Sequence, residues 1–136
     1  MVAGTRLDIA EMLARVAWGL DEKVIEWIEQ CFAAESVFVI RVGESPPMRF
    51  EGHQAIVKLF ADAMKAQKDV RRHQVTNVFF ESLGERTARV ISNLTIVSVK
   101  DGTASILTTG IYRDDVVLEG GAWRLAQRDL YLDLPY

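Results

Sequence analysis

The chain has 136 residues, 49% hydrophobic and 26% charged, with a net charge of −3. That is enough for one globular domain spanning residues 1–136, with an ordinary core, and it excludes a disordered chain. Mild acidity with no basic run beyond Arg71-Arg72 excludes an electrostatic case for nucleic acid, and no apolar run reaches the ~18 residues of a membrane span.

Taken in chain order, the first half reads as helical. Asp8 is placed to cap a helix over 9–20, where Ile9, Leu13, Val16 and Leu20 recur at helical spacing. Gly19 weakens the last turn. Asp21 is placed to cap a second helix over 22–34, whose stripe is Val24, Ile25, Ile28, Cys31 and Phe32. SVFVIRV, 36–42, has the density of a buried strand. GESPPMRF, 43–50, reads as a loop because Gly and two prolines interrupt regular structure. A third amphipathic helix covers 52–67, with Ile56, Leu59, Phe60 and Met64 on one face.

From residue 71 the period changes to two. Strands are expected over 73–83, 88–99, 103–119 and 122–134, with turns at Gly84-Glu85, Lys100-Asp101-Gly102 and Gly120-Gly121. Consecutive strands joined by tight turns make an antiparallel meander. Three helices ahead of it make an α+β fold with the helices packed on one face of the sheet. The N-terminus lacks an apolar signal core, and the lone Cys31 excludes an internal disulfide, which together point to the cytoplasm.

Several residues could carry chemistry. His73 is the first, since imidazole exchanges protons near neutral pH and a strand would hold it rigidly; the alternative is a satisfied core histidine. Asn77 and Asn93 sit inside apolar runs, and each needs a hydrogen-bond partner if buried. A cross-strand partner is expected for Asn77, and a place in a pocket lining for Asn93. Tyr112 could donate its hydroxyl to a carbonyl, or sit as a strand aromatic with the hydroxyl at the rim. Trp18, Phe38, Met48, Phe50 and Phe60 are candidate lining residues or plain core. In GGAWRLAQRD, alternation puts Trp123 and Leu125 inside and Arg124 and Arg128 on a charged outer face. Asp114-Asp115 reads as an exposed bend. Two distant histidines and one cysteine do not make a zinc site, and there is no phosphate loop, dinucleotide fingerprint or nucleophile elbow. Cys31, on an apolar stripe, reads as inert.

Three pieces carry a family likeness: GLDEKVIEWIEQCFAAESV, RRHQVTN and GIYRDDVVLEGGAWRLAQRDLYLD. In this order they resemble the nuclear transport factor 2-like superfamily, and most closely its SnoaL-like members. The resemblance implies a strongly curved, mainly antiparallel sheet that forms a cystatin-like cone with the helices and encloses an apolar cavity. Scytalone dehydratase-like and bile acid dehydratase-like members are similar in the first two pieces. They pair an aspartate after the first helix with a histidine on the first long meander strand, and Asp21 and His73 fall on those positions. The tyrosine those enzymes carry before the aspartate is Val16 here, with Trp18 nearby, so a phenol would have to come from elsewhere, as from Tyr112.

The resemblance therefore implies a cofactor-free acid/base enzyme acting on a small apolar carbonyl compound. The reaction would be dehydration, isomerisation or polyketide-type cyclisation, with no metal, and with Trp18, Phe38, Phe50, Phe60, Asn93 and Tyr112 against the ligand. The alternatives are a non-catalytic module for ligand binding or dimerisation, and the small subunit of a ring-hydroxylating dioxygenase, which WRLAQRDLYLD and EWIEQCFAAESVFVI also resemble. The superfamily further implies a homodimer through the outer sheet face, expected here at Leu94, Ile96, Ser98, Ile106 and Arg128.

Overall fold

A computed structural model of the chain describes residues 2–136. The elements are α1 (Val2–Asp21), α2 (Ile25–Cys31), β1 (Phe32–Val42), β2 (Met48–Glu51), α3 (His53–Ala66), β3 (Val70–Leu83), β4 (Thr87–Lys100), β5 (Thr103–Glu119) and β6 (Ala122–Leu132). The six strands form one curved, unclosed sheet in the order β2-β1-β6-β5-β4-β3. All neighbours are antiparallel except β1 and β6, which run parallel. The three helices cover one face, and the fold is α+β as the sequence implies. No described helix is long and apolar enough to cross a membrane.

Because α1 begins upstream of Asp8, that residue lies inside the helix and exposed, not at its cap. The helix stops at its other end through a Schellman closure. Lys23 takes a left-handed φ of 57°, Val24 N–H donates to the Gly19 carbonyl at 2.9 Å, and Lys23 N–H donates to Leu20 at 3.4 Å. Asp21 is thus the last residue of α1. The cap position of α2 is Val24, whose side chain makes no capping bond. Gly19 lets α2 pack close, since a Cβ there would meet Trp27 Cβ at 3.0 Å and Ile28 Cδ1 at 3.2 Å.

Residues 32–34, expected in the second helix, open β1 instead. Phe32, itself buried, belongs to an aromatic cluster with Phe38 and Phe60, with ring centroids 5.5–6.4 Å apart, and that packing overrides helical propensity. Within the expected loop 43–50, residues 48–50 open a short edge strand, β2, running to Glu51 and pairing with Val37–Ile40.

Parity along the long strands sets the inner face. On β4 the buried residues Ala88, Val90, Ser92, Leu94, Ile96 and Ser98 face the helices. A dimer face holding Leu94, Ile96, Ser98 and Arg128 is therefore corrected: all four are buried, and only Ile106 of the expected set is exposed. The outer side of the pairing carries instead Phe79, Ile91, Asn93, Val97 and Ile106.

Two β-bulges shift side chains away from the faces that alternation implies. In β6, Val116 opposes Leu125 while Asp115 opposes Gln127, so Ala126 is the extra residue. Beyond it the parity flips and Arg128 points inward, 2% exposed. Its guanidinium meets Asp114 in a two-pronged pair, Nε to Oδ1 at 2.8 Å and Nη2 to Oδ2 at 3.0 Å. Asp114 is 0% exposed, in mid-strand, not at an exposed bend. In β3 the register shifts between Thr76 and Phe79. Asn77 sits at that shift with φ 55°, exposed and off the inner face, so no buried cross-strand partner is required of it.

Candidate active site

Beneath the helices, the inner face of the sheet encloses a cavity of about 440 Å³. Its lining is mostly aliphatic and aromatic, including Leu20, Phe38, Leu59, Phe60, Met64 and Leu130, and the volume suits a drug-sized organic molecule. Polar side chains of the inner face, among them His73 from β3 and Tyr112 from β5, border this apolar space.

Asp21 and His73 meet although 52 residues separate them. The end of α1 brings Asp21 against the start of β3, where its carboxylate accepts the backbone N–H of His73 at 2.9 and 3.0 Å. The same carboxylate lies 2.6 Å from the ring Nδ1. The side chains are only 10% (His73) and 7% (Asp21) exposed, so both bonds form away from bulk water. An ionised carboxylate can only accept, so Nδ1 carries the hydrogen, and in the neutral ring the lone pair then lies on Nε2. The backbone bonds fix the carboxylate, and the carboxylate then fixes ring angle and tautomer.

Tyr112 is buried, and its ring lies against the guanidinium of Arg128, with Cζ 3.6 Å from the centroid. The Asp114–Arg128 pair thus forms a rigid floor under the phenol. Burial pushes the Tyr112 hydroxyl up to about 12, with Arg128 pulling it back and Asp114 adding to the rise. The phenol therefore remains a proton donor across the whole neutral range.

A stability consequence follows with a definite sign. The pKa is raised in the folded state, so its contribution is intact below the unfolded value near 10 and is lost as pH climbs through about 12. Wild type should lose about 2 kcal/mol more than Tyr112→Phe between pH 10 and 12 in denaturant titrations. Parallel curves for the two proteins would refute the assignment.

The other sequence candidates divide. Phe38, Phe60 and Met48 line the cavity. Phe50 packs against the core without lining it. Trp18 is 58% exposed on the outer side of α1, and Asn93 is exposed on the outer face of β4, so neither reaches the cavity. Val16 is fully buried in the core. Burial pushes the Cys31 thiol up, which keeps it unreactive. Among the described residues, no group of three or more His, Cys, Asp or Glu side chains could hold a metal ion.

The lining also includes Gln67, Arg71 and Tyr136, which sequence reasoning passed over. For Arg71 a signal was present: it stands two residues before His73 and shares its parity.

The family model described as a SnoaL-like domain matches residues 2–129. No curated protein matches the chain. Among solved structures, the beta subunit of a candidate aromatic-ring-hydroxylating dioxygenase from Novosphingobium aromaticivorans is similar at TM-score 0.84 and 17% identity, over 100% of this chain and 94% of that one. A candidate scytalone dehydratase from the same organism is similar at TM-score 0.78 and 20% identity, over 98% and 86%. A protein of unknown function with a cystatin-like fold from Nostoc punctiforme is similar at TM-score 0.78 and 22% identity, over 96% and 93%. At these identities the likeness is one of fold.

Proposed function

The chain belongs to the SnoaL-like domain family, and from that premise we propose that it is a cofactor-independent acid/base enzyme acting on a small apolar carbonyl compound. The observation that carries this reading is the 2.6 Å Asp21–His73 contact at the wall of an apolar cavity. A tautomer-fixed imidazole suits proton removal beside a carbonyl. In this reading His73 Nε2 takes a proton from the carbon next to the carbonyl, and the enolate oxygen is met by the Tyr112 hydroxyl. The imidazolium then returns its proton. Given to a departing hydroxide it completes dehydration, given to another carbon it completes isomerisation, and given to a newly formed alkoxide it completes an aldol-type cyclisation. Asp21 does not touch the substrate; it orients His73 and stabilises its charged form.

Because the substrate class is defined by an acidic carbon, solvent deuterium exchange tests the reading without a known product. Aryl ketones and cyclic β-hydroxyketones are incubated with the protein in D2O, and α-deuteration is followed by NMR. Wild type should exchange at least one of them about 10²-fold faster than His73→Ala. Equal rates for the two proteins across the panel would remove the enzyme reading.

The second reading is a non-catalytic subunit, favoured by the similarity in fold to the dioxygenase beta subunit. It expects a stable large partner on co-purification and no His73-dependent exchange. Under either reading we place a homodimer contact on the outer sheet face, where Phe79, Val99 and Ile106 are exposed. Sedimentation that finds only monomer at high concentration would exclude that contact.

A further inference from the structure

Arg71 has no part in the proton transfer just described, yet it lines the same cavity. It precedes His73 by two residues on the inner face of β3, opposite Ser98, so the two Cα atoms lie roughly 7 Å apart along the strand. Its side chain is 24% exposed, while the exposed residues Pro135 and Tyr136 border the cavity beside it. Arg71 therefore stands at the rim, with the apolar interior behind it.

The guanidinium is held in a defined pose. Asp69 accepts from Nε alone, at 3.1 and 3.2 Å. The Ser98 hydroxyl bonds the same carboxylate. Ser98 first, and then Arg71, hold the Asp69 carboxyl below the usual carboxylate range. The guanidinium also lies over the Tyr136 ring, with Arg71 Cζ 5.2 Å from the ring centroid. Asp69 thus takes the Nε edge, and the Tyr136 ring lies beside the guanidinium. Among the described residues no acceptor takes the Nη groups. A guanidinium fixed in this way presents a forked edge that matches a carboxylate. Asp69 balances the charge, so the attraction rests on directed N–H groups and is moderate in size.

We infer that Arg71 is a substrate-positioning residue, and that the ligand is an apolar carbonyl compound carrying a carboxylate that reaches Arg71 while its reactive carbon lies at His73. This rests on the acid/base reading for the reaction, but not for the binding. The carboxylate stays at the rim while the hydrocarbon body enters the cavity, which sets both the direction of entry and the carbon presented to the imidazole.

The test compares 2-naphthoate with the neutral, similarly shaped 2-naphthamide by isothermal titration. Wild type should bind naphthoate about tenfold more tightly. Arg71→Met should lose that preference while keeping the affinity for naphthamide, which shows that the cavity is intact. Should Arg71→Met lose both ligands, Arg71→Lys decides, since it keeps the charge but not the fork: a preference cut severalfold supports the inference. No preference in wild type, no measurable naphthoate binding, or a full preference in the Met or Lys variant would overturn it. His73→Ala should keep the wild-type preference. Exchange without carboxylate preference would defeat this inference alone, and preference without exchange would defeat the acid/base reading alone.

Discussion

Asp21→Asn is expected to slow α-deuterium exchange about 10–10²-fold, nearly as much as His73→Ala, although one NH2 for one oxygen is the smallest change the site allows. The carboxylate faces two donors at once, the backbone N–H of His73 and its ring Nδ1–H. An asparagine cannot accept with both ends. If its carbonyl takes the place of Oδ1, the amide NH2 confronts the backbone N–H. If it flips, the NH2 faces Nδ1 and selects the tautomer whose lone pair points at residue 21, leaving an N–H toward the substrate. The flipped pose removes the base from the cavity, the unflipped pose sets NH2 against the backbone N–H, and in both the negative charge that stabilises the imidazolium is gone. The loss should appear in kcat more than in KM, because Asp21 does not touch the ligand. The double variant should be hardly slower than His73→Ala, since the two residues act as one unit. Chemical denaturation reads the fold separately: one unsatisfied donor costs about 1–3 kcal/mol, which a domain of ordinary stability survives. An Asn variant exchanging within threefold of wild type would show that Asp21 is only a tie between α1 and β3.

How far the sequence could be read depends on whether each feature is encoded locally. The stretch 103–119 is both the expected and the observed bounds of β5, because Asp-Gly before it and Gly-Gly after it are backbone signals that tertiary packing does not override. The helix over 52–67 was legible for the same reason, its apolar stripe matching α3 within one residue at each end. Side-chain direction was legible only up to the first bulge. A strict alternation from Trp123 sends Arg128 outward, and one extra residue at Ala126 sends it inward. Nothing in AWRLAQRD marks Ala126, because the bulge is set by pairing with β5. With Arg128 outside there was no reason to bury Asp114, so the error in one residue carried to the other. Asp21 shows a different limit. An aspartate after a helix reads locally as a cap for the next helix, and only the family resemblance set it beside His73. Trp18 stands two residues from the position of the family tyrosine, yet on a helix that places it on another side, and at 58% exposure it turns away on the outer side of α1.

Arg128→Met should cost about 3–5 kcal/mol of stability. The methionine fills much of the arginine's volume, so the loss comes not from a cavity but from the carboxylate left behind. Asp114 is fully buried in mid-strand, where burial already pushes its carboxyl up and the Arg128 guanidinium pulls it back. Removing the guanidinium leaves a group that must either ionise without a partner or protonate in an apolar wall. The double variant Asp114→Leu/Arg128→Met removes that group too, and should regain most of the loss, because replacing a buried pair with apolar side chains is often neutral or better. A double variant less stable than the sum of the singles, or an Arg128→Met loss below about 1 kcal/mol, would show that the pair does not hold the β5–β6 floor. The same experiment reports on the cavity. The Tyr112 ring rests on the guanidinium at 3.6 Å, so Arg128→Met frees one face of the phenol that the proposed reaction uses to hold the enolate oxygen. In the double variant, restored stability without restored exchange would separate the two roles: the pair as a fold element replaceable by hydrocarbon, and the guanidinium as the surface that keeps Tyr112 aimed into the cavity.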